Sequence, residues 1–230
     1  RAPFQSYLGL ETQPHTMGYD FSEMNTDDFI ALCREIGAEP FITINPCWNT
    51  PDENAAWVEY CNGDVSTPYG KLRANRGHQE PYNVQFWSLG NEFGYGHMEG
   101  DNTPAGYCQI ALENGKKMLE ASPGLSLCSS GPYPNKEWAE FSAKPLAGIS
   151  QMISQHYYGY DPHYTDLSTV EEEYNRCMAS VSRMRELIHQ SRQCWSLLYA
   201  FPWTSGMCGM PGTVLPVLPT VFMRRWFCTC

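Results

Sequence analysis

The chain has 230 residues, 42% hydrophobic and 17% charged, with 19 Gly and 17 Pro; this suits a folded core of ordinary size and excludes collagen-like, coiled-coil and disordered classes. With 25 acidic against 15 basic side chains the formal charge is −10, so neither nucleic acid nor an anionic membrane is an expected partner, because phosphate repulsion would add to a negative surface. No run approaches the ~18 apolar residues of a bilayer span, Arg1-Ala2-Pro3-Phe4-Gln5 lacks the apolar centre of a signal peptide, and without an initiator Met the chain is expected to begin inside a longer protein.

From Asn25 to Gly37, Phe29, Ile30, Leu32, Cys33 and Ile36 form an apolar stripe at helical spacing, opened by Asn/Thr/Asp and closed by glycine. Pro40-Phe41-Ile42-Thr43-Ile44-Asn45 follows as a short strand. Thr50-Pro51-Asp52-Glu53 then announces a helix: a capping Thr, a proline at the first helical position and a Glu three residues after the cap. The alternation continues with a strand at Val84 to Leu89 and a helix from Pro104 carrying Tyr107, Ile110, Ala111, Met118 and Leu119. Next come a strand at Leu125 to Cys128, a weak helix near 135–144 and a strand from Ile149 to His156. A last helix is capped by Ser168-Thr169-Val170-Glu171 and carries Tyr174, Met178, Val181, Met184, Leu187 and Ile188.

Helices alternating with buried strands, without a tandem hairpin pattern, predict a parallel α/β fold. Gly94-Tyr95-Gly96 lacks the third glycine of a dinucleotide fingerprint, which favours a (β/α)8 barrel over a doubly wound sheet. Ten cysteines are unevenly placed. Cys33, Cys47, Cys61, Cys108, Cys128 and Cys177 stand singly and are expected as small buried apolar side chains, while Cys194, Cys208, Cys228 and Cys230 crowd the last 37 residues. No two pairs share zinc-ligand spacing, so no metal is expected.

Barrel enzymes carry their reactive groups at the C-terminal ends of strands. Here Phe86-Trp87-Ser88-Leu89 delivers Gly90-Asn91-Glu92, an Asn and an acid side by side against aromatic and apolar walls, which suits a proton donor. Trp48, Trp87, Tyr95 and His97 are candidates for stacking on or bonding to sugars, and strand-end aromatics serve equally as plain packing.

Several blocks carry a specific resemblance. Asp27-Asp28-Phe29 through Cys33-Arg34-Glu35-Ile36-Gly37-Ala38-Glu39-Pro40, then Ala55-Ala56-Trp57-Val58-Glu59-Tyr60-Cys61-Asn62-Gly63, Pro81-Tyr82-Asn83-Val84 and Trp87-Ser88-Leu89-Gly90-Asn91-Glu92 resemble α-L-arabinofuranosidases of glycoside hydrolase family 51, over about residues 20 to 190. The resemblance implies a partial (β/α)8 TIM barrel and retaining hydrolysis of terminal α-L-arabinofuranosyl groups from plant glycans such as arabinan or arabinoxylan. It makes Glu92 the general acid/base and Asn91 the partner of the sugar 2-hydroxyl. His156 and Tyr158 become part of a sixth-strand cluster that lines the reacting subsite and orients the nucleophile, and Asn45 a substrate contact at the end of the third strand. The implied partner is an arabinofuranosyl-containing oligo- or polysaccharide; no cofactor is implied, and the parent is one able to form homo-oligomers, either cytoplasmic or secreted.

A retaining glycosidase uses two carboxylates about 5 Å apart. The family's nucleophile lies in an Asp-Glu-Trp-Asn-like motif after the seventh strand, yet from Leu187 to Cys230 there is no Asp or Glu. The character of the chain also changes near Cys194. Reading two bases downstream across Pro202 to Gly212, Trp203-Thr204 forces Asp, Met207-Cys208 forces Val and Met210-Pro211 forces Ala, and the other junctions permit Val-Asp-Glu-Trp-Asn-Val-Trp-Tyr-Ala-Trp. Residues 1–193 are therefore expected to be a partial catalytic barrel, and 194–230 an out-of-frame tail; Pro202, Pro211, Pro216 and Pro219 speak against an amphipathic membrane helix there. In this frame the product is expected to be inactive. The alternatives are another retaining barrel glycosidase, of xylosidase, endoglucanase or glucuronidase type, and a non-catalytic carbohydrate-binding remnant.

Overall fold

The computed structural model describes residues 13–15, 18–20, 24–94, 103–131, 136–154, 156 and 169–199. A short antiparallel hairpin, β1 (Gln13–His15) and β2 (Gly18–Asp20), precedes α1 (Thr26–Glu35). It was not expected: its strands are three residues long and contain Pro14, so they carry no readable alternation. The chain continues with β3 (Phe41–Thr43), α2 (Pro51–Asn62), α3 (Pro68–Asn75), β4 (Phe86–Ser88) and α4 (Pro104–Ala121). It ends with β5 (Ser126–Ser129), α5 (Lys136–Leu146), β6 (Met152–Ile153) and α6 (Val170–Tyr199).

The caps explain where the helices begin. Asn25 accepts from the backbone N–H groups of Asp27 and Asp28 at 2.9 and 3.1 Å, and Asp28 accepts in return from Asn25 N–H at 3.2 Å. Helices α2, α3 and α4 all start Thr-Pro: Thr50, Thr67 and Thr103 each accept from an N–H three residues on, and the proline fills the first helical position. Helix α3 was missed at the sequence level although it shares this signal, because its body, Pro-Tyr-Gly-Lys-Leu-Arg-Ala-Asn, has no apolar stripe.

Strands β3, β4, β5 and β6 are parallel and lie side by side in chain order. Trp87 pairs with Ile42 on one side and Leu127 on the other, and Cys128 pairs with Met152. A doubly wound sheet reverses its strand order at a switch point. Four βα steps without reversal are instead an arc of a (β/α)8 barrel, its helices following in the same order outside. The core lies between strands and helices: Val84, Trp87, Leu89 and Leu127 are fully buried, and Trp57 of α2 stands edge-on to Trp87 at 5.7 Å and 84°. Gly115 lets α4 press against the sheet, since a Cβ there would lie 2.3 Å from Ile149 Cγ2.

Two buried charges tie the lower helices together. Arg73 of α3, 0% exposed, donates to the carbonyls of His78, Tyr60, Gly63 and Gln79 at 2.8–3.2 Å, so its guanidinium closes the C-terminus of α2. Asp27 of α1 accepts from the hydroxyls of Tyr60 (2.7 Å) and Tyr82 (2.8 Å) and from Arg76 Nε (3.1 Å). Burial, with the bonded Asp27 carboxylate adding to it, holds both phenols above the ordinary tyrosine range.

Helix α6 departs from expectation in its length and surroundings. It runs past Ile188, the last residue of the expected apolar stripe, to Tyr199, and Val170, Tyr174, Met178, Val181 and Met184 are exposed. Among the described residues the sheet stops at β6, so the outer part of α6 has no strand to cover. Residues 200–230 lie outside the described residues.

Cys33, Cys61, Cys108 and Cys128 are buried as expected, but Cys47 is half-buried and Cys177 exposed on α6. Burial pushes the Cys108 thiol up to about 11 and that of Cys128 to about 12. Since the thiolate is the reactive form, iodoacetamide at pH 8 should alkylate Cys177 within minutes and leave Cys61, Cys108 and Cys128 unmodified until denaturant is added. Peptide mass mapping reads this directly, and early labelling of Cys128 would contradict the packing of β5.

Candidate active site

The strand ends converge on Glu92. Beyond β4 the chain turns through left-handed backbone three times, at Gly90 (φ 99°), Glu92 (φ 54°) and Gly94 (φ 100°). For a non-glycine residue this conformation costs on the order of 1–3 kcal/mol, and such strain concentrates at functional sites. Gly90 is required by space as well: a Cβ there would lie 2.4 Å from Phe93 Cε2 and 3.4 Å from Pro46 Cγ. Ser88 Oγ donates to the Gly90 carbonyl at 2.7 Å.

The turn rests on a buried aromatic floor. Phe93 packs on Tyr107 at 4.9 Å, and Tyr107 on Trp138 at 5.6 Å. The Tyr107 hydroxyl donates to the Leu89 carbonyl at 3.2 Å and accepts from Ser130 N–H, bridging the ends of β4 and β5. Trp138 Nε1 donates to the Ser130 carbonyl at 3.3 Å. None of these bridging contacts was read from the sequence.

Glu92 points from this turn toward the end of β6. Its Oε1 lies 3.1 Å from His156 Nδ1, with side-chain exposures of 22% and 10%. His156 Nε2 faces Ser154 Oγ at 3.3 Å, and Ser154 N–H donates to the Ser129 carbonyl at 2.9 Å. The imidazole is thus oriented from the β5–β6 edge, and the carboxyl–imidazole pair can pass one proton across a single hydrogen bond. The resemblance associates the sixth-strand histidine with the nucleophile; in the structure it contacts the acid of the fourth.

The other site residues fall out as follows. Asn91 is half-buried beside Glu92, and Asn45 half-buried at the end of β3, in the same rim: Pro46, next to Asn45, approaches Gly90, next to Asn91. Trp48, 64% exposed, stands on the same loop as Asn45. Trp87 is corrected: it is 0% exposed, its indole N–H spent on the Val84 carbonyl at 3.1 Å, so it is a core residue and stacks on no sugar. Tyr158, Tyr95 and His97 lie outside the described residues.

A parallel barrel arc with an acid and a histidine brought together at its strand ends is where a barrel enzyme carries its reactive groups. The family model described as "Alpha-L-arabinofuranosidase 1 domain" matches residues 6–176, and the chain belongs to that family. It is 34% identical over 142 residues to alpha-L-arabinofuranosidase C of Emericella nidulans, which covers 62% of this chain and 26% of that protein. It is 26% identical over 195 residues to an intracellular exo-alpha-(1->5)-L-arabinofuranosidase of Halalkalibacterium halodurans, covering 77% of this chain and 39% of that one. Among solved structures, the arabinose complex of the Thermotoga maritima alpha-L-arabinofuranosidase matches with a TM-score of 0.61 at 33% identity, over 80% of this chain and 38% of that one. A family 51 enzyme from Bifidobacterium longum superposes with a TM-score of 0.72 at 21% identity, over 83% of this chain and 38% of that one, a likeness of fold. The chain spans about a quarter of the length of the fungal relatives it matches.

Proposed function

We propose that this chain is the acid/base portion of a retaining glycosidase that removes terminal α-L-arabinofuranosyl groups from arabinan- or arabinoxylan-type glycans. The observation that carries the proposal is the Glu92 carboxyl, presented by a strained turn at the end of β4 and held 3.1 Å from His156, in a chain of the arabinofuranosidase domain family. Glu92 protonates the leaving glycosidic oxygen as a second carboxylate attacks the anomeric carbon; its conjugate base then takes a proton from the water that releases arabinose. That proton restores the Glu92 carboxylic acid for the next turnover, and His156 orients the carboxyl. Asn91 and Asn45, on the rim beside it, bond sugar hydroxyls. Neither step needs a metal or an organic cofactor.

The second carboxylate is the Glu of the Asp-Glu-Trp-Asn sequence encoded across Pro202 to Gly212 in the shifted frame, and residues 194–230 are an out-of-frame tail. In the present frame the chain supplies one carboxylate of two and should not turn over substrate. The experiment is a panel of aryl glycosides tested on the full-length product of the frame-restored gene. Hydrolysis of the α-L-arabinofuranoside at least a hundredfold faster than the β-xyloside, β-glucoside and β-glucuronide supports the proposal, whereas preference for one of the latter shifts it to another barrel glycosidase.

A further inference from the structure

Three asparagines form a buried relay between the outer helices and the rim of the site. Asn49 in the β3–α2 loop, Asn54 of α2 and Asn114 of α4 are 4%, 0% and 2% exposed. Asn49 Nδ2 donates to Asn54 Oδ1 at 3.1 Å, Asn54 Nδ2 to Asn114 Oδ1 at 2.8 Å, and Asn114 Nδ2 to the Ile110 carbonyl at 2.9 Å. The last partner fixes the direction of the whole series. A backbone carbonyl only accepts, so Asn114 must turn its amide nitrogen to Ile110 and its oxygen to Asn54; Asn54 must then turn its oxygen to Asn49, which is left to donate.

The loop end of the relay is tied to the site. Asn49 N–H donates to the Asn45 carbonyl at 3.0 Å, closing the turn that carries Asn45, Pro46 and Trp48. Pro46 in turn lies against Gly90, two residues before Glu92. The loop pays for its position: Asn49 Oδ1 is buried without a hydrogen-bond donor among the described residues, and a loop free to move would turn that oxygen to water.

We propose that Asn54 and Asn114 are positioning residues that hold the β3–α2 loop, with Asn45 and Trp48, in register with the Gly90–Glu92 turn, so that the sugar-binding rim is set from the α2–α4 interface. The hold on the loop stands on geometry alone; its consequence for sugar rests on the proposed function. Amide hydrogen exchange separates the two on the 230-residue chain. Replacing both helix partners, Asn54→Leu with Asn114→Leu, removes both amides from the α2–α4 interface and leaves Asn49 Nδ2 without its acceptor. Amides of Asn45 and residues 47–50 should then exchange at least tenfold faster, with α2 and α4 as protected as before, and in the full-length, frame-restored protein affinity for α-1,5-linked arabinotriose measured by calorimetry should fall at least fivefold. Asn49→Ala, which leaves the Asn54–Asn114 bond intact, should give the same local result if the double variant does not fold. Unchanged exchange at Asn45 and 47–50, or equal loss of protection in α2 and α4, would overturn the positioning role, the second outcome making the relay a support of the core. A loosened loop with unchanged affinity would overturn its role at the rim. If the full-length, frame-restored protein binds no arabinotriose, the functional reading and the rim role fail together, and the exchange result still decides whether the relay holds the loop.

Discussion

Glu92→Gln is expected to lower hydrolysis of arabinofuranosides by about 10²–10⁴-fold in the full-length, frame-restored protein, the usual worth of a positioned general acid. Gln has the shape of Glu and its amide can still meet His156 and fill the turn, so the thermal midpoint should not move and the loss isolates the chemistry. The loss should also depend on the leaving group. A natural alkoxide leaving group needs the proton that the proposal draws from Glu92, whereas a nitrophenolate departs without it, so arabino-oligosaccharides should lose far more than nitrophenyl arabinofuranoside in the glycosylation step. An equal loss on both, in single-turnover kinetics, would assign Glu92 a binding role instead.

Arg73→Met should cost about 3–5 kcal/mol, a large share of the ~5–15 kcal/mol that hold a domain folded. Met keeps much of the aliphatic stem but strips the donors from four carbonyls, two of them at the end of α2. Arg73→Lys should recover little, because a single ammonium cannot span acceptors arranged around a planar fork. Arg34→Met is the control. Its ion pair with Glu39 is as short, 2.7 Å, but both side chains are about half exposed, so its loss should stay below ~1 kcal/mol. Urea midpoints of the three variants compare the sites directly, and an Arg73→Met cost no larger than that of Arg34→Met would refute the helix-closing role.

The Asp27 cluster sets an alkaline limit. Tyr60 and Tyr82 are held neutral in the fold beyond the ordinary tyrosine range, so above about pH 10 the unfolded chain releases phenolic protons that the native chain retains. Stability is therefore fully present below pH 10 and declines above it.

What was legible in the sequence follows from how local each signal is. Helices α1, α2 and α4 announced themselves by caps within four residues and by apolar spacing, and the strands by short β-branched or aromatic runs between helices. Glu92 was legible because it stands directly after such a run. Its φ of 54° was not, since Gly90 and Gly94 hint at a turn without saying which way it points the acid. Helix α3 escaped because its one strong signal, Thr67-Pro68, led into a body with no stripe. Trp87 misled in the opposite way: an aromatic at a strand end reads equally as a sugar platform or as core, and only the closeness of Trp57 decides. The Asp27 cluster, Arg73 and the asparagine relay were illegible because each includes a bond between residues 10 or more positions apart, up to 60 in the relay, which polar residue types alone do not specify.

Sequencing the nucleic acid across codons 185 to 215 tests most directly the proposal that Glu92 is one carboxylate of a pair whose other member is encoded out of frame. A single-base correction that restores Val-Asp-Glu-Trp-Asn in line with α6 is the predicted result. Confirmation of the present frame, with Thr204-Ser205-Gly206 translated as they stand, would contradict it and leave a chain unable to run a two-carboxylate hydrolysis.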